Sequence, residues 1–267
     1  MKDVVMTDYT IESEKISAGF QGFRFAVLCD LHSNSYGIDL HSLNRMIKKA
    51  GPDAVLVAGD MFNASVWDNP CQVINYLAAL AGHFPVFFAP GNHEYRMKLY
   101  TDTYGDRYYA IRNYLSEKGV VFLEDETVIL DKDDATVALS GVEIDAAFYG
   151  RFNHPKMGKS LIGRHLGPAD TDRLNILIAH NPDYFVRYAD WGADIVVSGH
   201  VHGGIVRIPG VGGLISPNIS LFPRYDSGMY FHNNSMMLVS RGLGTHTVNV
   251  RINNAPELAI LNIIPAV

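Results

Sequence analysis

Short apolar runs that end in polar residues recur along the first part of the chain. Residues 25–29 and 54–58 are apolar throughout and are followed directly by Asp30 and by Gly59-Asp60. Runs of this length without polar alternation are typical of strands whose two faces are both buried. Between the two runs, Asp39 can cap the start of a helix and Gly51 can end it. The pattern therefore predicts a βαβ unit.

A second unit of the same kind is predicted over residues 68–88. Pro70 suits the first position of a helix, with Asp68 or Asn69 as its cap, and apolar residues then recur at helical spacing. A strand is predicted over residues 86–88, and a further helix over residues 109–118. The first part of the chain is thus expected to alternate strands and helices.

The second half of the chain is richer in strand patterns. Residues 146–170 show no clear period and predict an irregular surface segment. A helix is predicted over residues 183–191. Strands are predicted over residues 120–130, 136–144, 174–179, 194–197, 236–240, 247–252 and 258–263. The change from βα units to a strand-rich half predicts an α/β fold of two packed sheets flanked by helices.

The composition restricts the classes of function. With 267 residues, of which 48 % are hydrophobic and 19 % charged, the chain can bury a large core. A net charge of −6 offers no basic footprint, so dedicated nucleic-acid binding is not expected. The two cysteines, Cys29 and Cys71, form neither a disulfide framework nor a thiolate zinc motif. A reducing compartment fits this composition best.

The first residues of the sequence favour a cytoplasmic protein. Residues 1–20 include six charged side chains and lack the apolar segment of a signal peptide. No later run approaches the roughly 18 apolar residues that a membrane span requires. We therefore expect a cytoplasmic location without a transmembrane segment, and an additional N-terminal anchor is the alternative.

Side chains of the metal-ligand type stand at the ends of five predicted strands. The motifs are Asp30-Leu31-His32, Gly59-Asp60, Gly91-Asn92-His93-Glu94, Ala179-His180-Asn181 and Gly199-His200-Val201-His202. Loops that leave the carboxyl ends of parallel strands converge at one edge of a sheet, where ligand sites form. Each motif alone is more often structural than functional, but five of them at strand ends indicate one site.

A set of Asp, His and Asn ligands suits borderline divalent ions such as Mn²⁺, Fe²⁺, Zn²⁺ and Co²⁺. Two such ions in a hydrolytic site lie roughly 3.5–4 Å apart and share a bridging ligand. Asp60 is the bridging candidate because its strand is central in the predicted order. Glycine beside each motif lets the backbone turn sharply and approach the ions.

In order and spacing, these motifs resemble the complete signature of the calcineurin-like metallophosphoesterase superfamily over residues 24–204. The later segments 240–244 and 256–258 are similar to a bacterial branch of it, the YkuE/YaeI-like phosphoesterases. The resemblance implies a metallophosphoesterase fold, which is a four-layer αββα sandwich with two mixed β-sheets. It also implies a single domain over residues 1–267.

The resemblance also implies a role for each ligand in a binuclear metal centre. One ion would be held by Asp30, His32 and His202, the other by Asn92, His180 and His200, and Asp60 would bridge the two. A hydroxide between the ions would be the nucleophile, and manganese is the first choice of metal. His93 would lie outside the metal ligands and protonate the leaving oxygen of the substrate.

Two departures from related subfamilies narrow this expectation. Purple acid phosphatases carry a Tyr ligand after Gly-Asp, whereas Met61-Phe62-Asn63 follows Asp60 here, so a charge-transfer Fe³⁺ site is not expected. Protein Ser/Thr phosphatases carry Asp-Arg-Gly where this chain has Asn63-Ala64-Ser65. The Asp that would orient His93 is therefore missing, which leaves Glu94 or a backbone group as its partner.

The expected substrate is a small phosphate ester, with phosphodiesters preferred to monoesters. Arg96 and Arg241 are candidates for binding its phosphate oxygens, because arginine offers a planar pair of donors. The alternatives are a phosphomonoesterase, a catalytically silent interaction protein on the same fold, and a binuclear hydrolase of amides or guanidines. The sequence does not define the oligomeric state.

Overall fold

A computed structural model describes residues 3–18, 22–150, 155–208, 210, 212–215, 221–245 and 249–266. Within these residues the strands are β1 Val5–Ser13, β2 Phe23–Leu28, β3 Ala54–Ala58, β4 Val86–Ala89, β5 Val120–Phe122, β6 Glu126–Lys132, β7 Ala135–Gly141, β8 Leu174–Ile178, β9 Ile195–Ser198, β10 Val206–Ile208, β11 Gly212–Ile215, β12 Gly228–His232, β13 Ser235–Val239 and β14 Glu257–Pro265. The α-helices are α1 Leu40–Ala50, α2 Cys71–Ala81, α3 Asn92–Leu99, α4 Thr101–Tyr104, α5 Arg107–Glu117, α6 Leu161–Leu166 and α7 Phe185–Trp191.

Two large mixed sheets organise these strands. The first has the order β1-β14-β2-β3-β4-β5, in which β2 to β5 are parallel and β14 runs antiparallel to β2. The second has the order β12-β13-β9-β8-β7-β6, in which the four inner strands are parallel and both edge strands are antiparallel. In the described part of the chain, β10 and β11 form a separate two-stranded ribbon.

The sheets pack face to face and helices cover their outer faces. The layer between the sheets joins side chains such as Phe25 and Leu56 of the first sheet to Ile176 and Val197 of the second. Helices α1, α2, α3 and α5 cover the first sheet, and α6 and α7 cover the second. The predicted four-layer αββα sandwich with two mixed sheets is confirmed.

Strand β3 shows why the apolar runs carry no polar alternation. Val55 and Val57 pack against the helices, whereas Leu56 and Ala58 face the second sheet. Successive side chains of a strand point to opposite faces, so a strand between two apolar layers needs an apolar residue at every position. The prediction of buried strands at residues 25–29 and 54–58 is confirmed.

The predicted cap of the first helix is also confirmed. The Asp39 side chain accepts hydrogen bonds from the backbone N–H groups of His41 and Ser42, at 3.1 and 3.3 Å. Gly51 ends α1 at a φ of 61°, in the left-handed region that glycine adopts without strain. The helix predicted after Pro70 begins at Cys71.

Several predicted elements were wrong. The segment 120–130 is two strands, because the chain leaves the first sheet after β5 and enters the second sheet as β6. Within the described part of residues 247–252 there is a single bridge at Ile252 and no strand, and residues 247 and 248 lie outside the described residues. Residues 146–170 contain α6, and α3, α4, β1 and β12 were not predicted.

No helix among the described residues has the length and apolar character of a membrane span.

Candidate metal centre

The five motifs meet where the carboxyl ends of the parallel strands of both sheets face each other. Asp30 and His32 follow β2, Asp60 follows β3, and Asn92 begins α3 directly after β4. The second sheet contributes His180 after β8, and His200 and His202 after β9. The centre therefore lies between the two sheets, and each sheet supplies part of the ligand set.

The backbone at these ligands is unusual. Five of them have φ in the left-handed region, namely Asp30 at 54°, His32 at 48°, Asp60 at 53°, His200 at 74° and His202 at 55°. This conformation costs energy for residues other than glycine and clusters at functional sites. Hydrogen bonds between the loops hold it, because the Asp30 N–H donates to the Gly59 carbonyl at 3.0 Å and the His32 N–H to the Asp60 carbonyl at 3.1 Å.

Glycine is required where the loops touch. A Cβ at Gly91 would lie 2.3 Å from Oδ1 of Asp60, and one at Gly199 would lie 2.6 Å from Oδ2 of Asp30. Both distances are far below van der Waals contact. Glycine therefore allows the loops to approach each other closely at these two positions, and the approach of the backbone to the ions stays a prediction.

The first cluster consists of Asp30, His32 and His202. The Nε2 atoms of His32 and His202 lie 3.1 Å apart, and Nε2 of His202 is 3.5 Å from Oδ1 of Asp30. In both rings Nδ1 faces an oxygen, from Asn63 at 3.1 Å for His32 and from Gly244 at 3.2 Å for His202. With the proton on Nδ1, each Nε2 presents its lone pair to the centre, as metal-binding imidazoles do.

The second cluster consists of Asp60, His180 and His200. His180 donates its Nδ1–H to the Ala58 carbonyl at 2.6 Å, which leaves Nε2 directed at Oδ2 of Asp60 at 3.1 Å. Beside them, Oδ1 of Asn92 is buried and accepts no hydrogen bond from any residue that the structure describes. A buried carbonyl oxygen without a donor is costly, and a cation would satisfy it.

Asp60 belongs to a third group as well, together with His32 and His93. Asp60 therefore lies close to candidate ligands of both clusters, and Oδ1 of Asp30 also approaches the second cluster, at 3.8 Å from Nε2 of His180. The donor set of carboxylate, imidazole and amide oxygen fits borderline divalent ions. Six of the seven predicted ligands lie in these groups, Asn92 precedes His93 at the start of α3, and the assignment of all seven to individual ions stays a prediction.

The partner of His93 is a backbone group. The N–H of Ala64 donates to Nδ1 of His93 at 2.8 Å, so the neutral ring carries its proton on Nε2. Glu94 is occupied elsewhere, since its carboxylate accepts from the N–H groups of Asp60 at 2.8 Å, Phe62 at 3.0 Å and Gly91 at 2.9 Å. Of the two partners that the sequence left open, the structure provides the backbone group.

The two predicted substrate arginines have different surroundings. Arg96 is exposed on α3, one turn after His93, and its charge lowers the pKa of His93 in addition to the larger effect of burial. Arg241 instead pairs with the buried carboxylate of Glu257, at 3.0 Å from Nη2 to Oε1. This ion pair holds the Arg241 side chain against β14, which begins at Glu257. Its contact with substrate stays a prediction.

Two further residues at the centre were missed by the sequence analysis. Arg251 is partly buried and donates to the carbonyls of Arg241, at 2.8 Å, and of Gly244, at 2.9 Å, which holds the turn beside His202. The ring of Tyr149 packs edge-on against His200, with centroids 5.0 Å apart. Tyr149 lies in the segment without period. The one available signal was its place after the carboxyl end of a predicted strand.

The family of the chain follows from comparison with known proteins. Residues 23–204 match the model of the calcineurin-like phosphoesterase family, and the chain belongs to this family.

Its relatives include the uncharacterized metallophosphoesterase YkuE of Bacillus subtilis (strain 168), 27 % identical over 96 % of this chain and 84 % of that protein. Phosphodiesterase YaeI of Escherichia coli (strain K12) is 24 % identical over 91 % of this chain and 82 % of that protein. The YkuE/YaeI-like branch that the sequence indicated is confirmed. The crystal structure of TT1561 of Thermus thermophilus covers 82 % of this chain and 89 % of its own at a TM-score of 0.50 and 11 % identity, which supports the fold.

Metal binding should become tighter as pH rises. Burial raises the pKa of Asp30 to about 6. For His180, burial lowers the pKa, but the charges of Asp60 and Asp30 outweigh it and raise the pKa to about 10. His180 of the metal-free protein thus holds a proton at pH 8 that an ion must displace. Calorimetry in buffers of different ionisation enthalpy should show proton release on Mn²⁺ binding, and a pH-independent affinity would contradict this.

Proposed function

We propose that the chain is a binuclear metal-dependent phosphoesterase that hydrolyses phosphodiesters of small molecules. The observation that carries the proposal is the position of Asp60, which lies next to ligands of two separate clusters. Hydrolytic centres with two ions need such a shared carboxylate. Membership of the calcineurin-like phosphoesterase family supports the class of reaction.

In this proposal each cluster holds one ion. Asp30, His32 and His202 hold the first, Asn92, His180 and His200 hold the second, and Asp60 serves both. The orphaned oxygen of Asn92 supports its place among the ligands. When bound, the two ions would supply positive charge that polarises the phosphate group and activates water. Mn²⁺ is the first choice, ahead of Fe²⁺, Zn²⁺ and Co²⁺.

His93 contributes a proton on Nε2. Because the Ala64 N–H occupies Nδ1, Nε2 is the nitrogen of His93 that can carry the proton toward the substrate. We place this donor at the leaving oxygen of the ester, where negative charge develops during bond cleavage. Arg96, one helical turn further along α3, can bind an oxygen of the same phosphate group.

Phosphodiesters are preferred to monoesters in this proposal. A relative that covers 91 % of the chain is named a phosphodiesterase, and the Asp-Arg-Gly segment of protein phosphatases is replaced by Asn63-Ala64-Ser65. A silent interaction protein is disfavoured because the whole ligand set is present. We also propose a cytoplasmic location, which is supported by two cysteines that form no disulfide.

The proposal is tested by a panel of esters with the metal-loaded protein. Bis-nitrophenyl phosphate and other diesters should turn over faster than aryl monophosphates in Mn²⁺, with Mg²⁺, Zn²⁺ and Fe²⁺ as comparisons. Phosphate release and nitrophenol absorbance measure the two reactions. Rapid monoester turnover with inert diesters would make the protein a phosphomonoesterase, and hydrolysis of amides alone would remove the phosphoesterase assignment.

The shared role of Asp60 predicts the metal content of one variant. Asp60→Asn keeps the size of the side chain but removes the charge that serves both ions, so we expect both metal equivalents to fall together. Elemental analysis after desalting measures them. Asp102→Asn, an exposed residue of α4, is the matched control. Full metal content in Asp60→Asn, or loss of one ion alone, would contradict the bridging role.

The role of His93 predicts a dependence on the leaving group. Acid catalysis contributes typically about 10²–10⁴-fold, so His93→Ala should lower kcat by that factor on alkyl esters. Nitrophenyl esters should lose less, because a nitrophenolate departs with little help. Metal content should stay at the wild-type value, and exposed His83→Ala is the control. Equal losses on both ester types would assign His93 to electrostatic stabilisation only, and loss of metal would make it a ligand.

A further inference from the structure

Tyr149 lies against the ligands of the second cluster. Its ring meets His200 edge-on, with centroids 5.0 Å apart and the planes at 71°, and it lies 6.2 Å from the ring of His180. Tyr149 is partly buried, and its ring contacts place it beside the ligands as a wall of the centre. Burial raises the pKa of the Tyr149 hydroxyl, and the charges of Asp60 and Asp30 raise it further.

The turn that carries Tyr149 is fixed by hydrogen bonds to neighbouring elements. Asp145 begins the short 3₁₀ turn Ala146–Tyr149, and its side chain accepts from the Ala147 N–H at 2.7 Å. The carbonyl of Phe148 accepts from the side chain of Asn181 at 3.0 Å, the residue after His180. The position of Tyr149 is therefore coupled to the loop that carries a ligand.

The hydroxyl of Tyr149 has no such partner among the described residues. It makes no hydrogen bond within that part of the chain, whereas the hydroxyl of Tyr188 donates to the Asn181 carbonyl at 2.7 Å. Tyrosine hydroxyls usually find a hydrogen-bond partner when they are buried. A hydroxyl donor without an acceptor in the described chain, at the edge of the proposed metal centre, has the chemistry to bind an oxygen of the substrate.

We propose that Tyr149 contacts the substrate, with its ring as the wall beside His200 and its hydroxyl donating a hydrogen bond to a non-bridging oxygen of the phosphate group. This inference rests on the proposed phosphoesterase function. The phenol stays protonated in the role, because it acts as a donor and transfers no proton. It thereby adds a neutral donor that follows a strand of the second sheet, whereas His93 and Arg96 follow a strand of the first.

The test compares conservative variants of the metal-loaded protein. Tyr149→Phe keeps the ring and removes only the hydroxyl, so metal content should not change. A hydrogen bond to a charged group contributes about 1.5–3 kcal/mol, which corresponds to roughly 10- to 10²-fold in binding or rate. We expect the inhibition constant for inorganic phosphate to rise, and kcat/KM for the best ester to fall, by that factor.

Two control variants separate direct contact from an indirect effect. Tyr114→Phe alters an exposed tyrosine of α5 and should leave both quantities unchanged. Tyr184→Phe removes hydroxyl contacts to the Phe148 and Pro155 carbonyls, at 3.4 and 3.2 Å, and so disturbs the turn without removing the Tyr149 hydroxyl. A loss in Tyr184→Phe as large as that in Tyr149→Phe would show that the turn matters and the hydroxyl does not.

Other results would contradict either the role of Tyr149 or the proposed function. Unchanged phosphate binding and kcat/KM in Tyr149→Phe would overturn the inference, and so would a loss of metal in that variant. A visible charge-transfer band in the Fe³⁺-loaded wild type that Tyr149→Phe abolishes would show a phenolate ligand instead of a donor. If the wild type binds phosphate but cleaves no ester, the proposed function fails, and phosphate binding still decides the role of Tyr149.

Discussion

The burial of carboxylates between the two sheets is the constraint on which the rest of the site depends. Asp30 and Asp60 are both enclosed, and an ionised carboxylate without compensation costs several kcal/mol in such a position. The chain surrounds them with backbone donors, as in the N–H of His93 that donates to Oδ1 of Asp60 at 2.9 Å. Imidazole rings complete the surroundings of the two carboxylates, with His202 beside Asp30 and His180 beside Asp60. A centre that gathers so many electron donors is suited to cations.

The local backbone follows from the same constraint. Ligands can converge only if the loops approach within contact distance, which explains glycine at positions 91 and 199 and the left-handed φ values of the ligands. Glu94 stabilises this arrangement, because its buried carboxylate joins the first turn of α3 to the loop after β3. Its own burial raises the pKa of Glu94 to about 7. The structural carboxylate of Glu94 therefore lies beside the candidate ligand Asp60.

The two-sheet architecture gives the centre its rigidity. Asp30, Asp60 and Asn92 come from the first sheet, and His180 and His200 come from the second. Their separations are consequently set by the apolar layer between the sheets, which is densely packed and yields little. Arg251 adds a second fixed connection, because its guanidinium joins the turn after β13 to the loop of His202 through their carbonyls.

The sequence by itself determined the features that depend on neighbouring residues. Apolar runs identified the buried strands, Asp39 and Gly51 bounded α1, and the order of the ligand motifs indicated the family. Other features depended on contacts between distant segments. In the segment 120–130, apolar residues stand on both sides of Glu124-Asp125-Glu126, and the tertiary structure places the first part in one sheet as β5 and the second part in the other as β6.

The candidate centre was likewise predictable only where it depends on neighbouring residues. The positions of the seven candidate ligands could be read from their motifs, because loops that leave parallel strands meet at one edge of a sheet. The partner of His93 could not, since every residue except proline offers a backbone N–H and only the fold selects that of Ala64. Tyr149 and Arg251 also stand in no motif. They reach the centre because the tertiary structure brings together residues that are far apart in the chain.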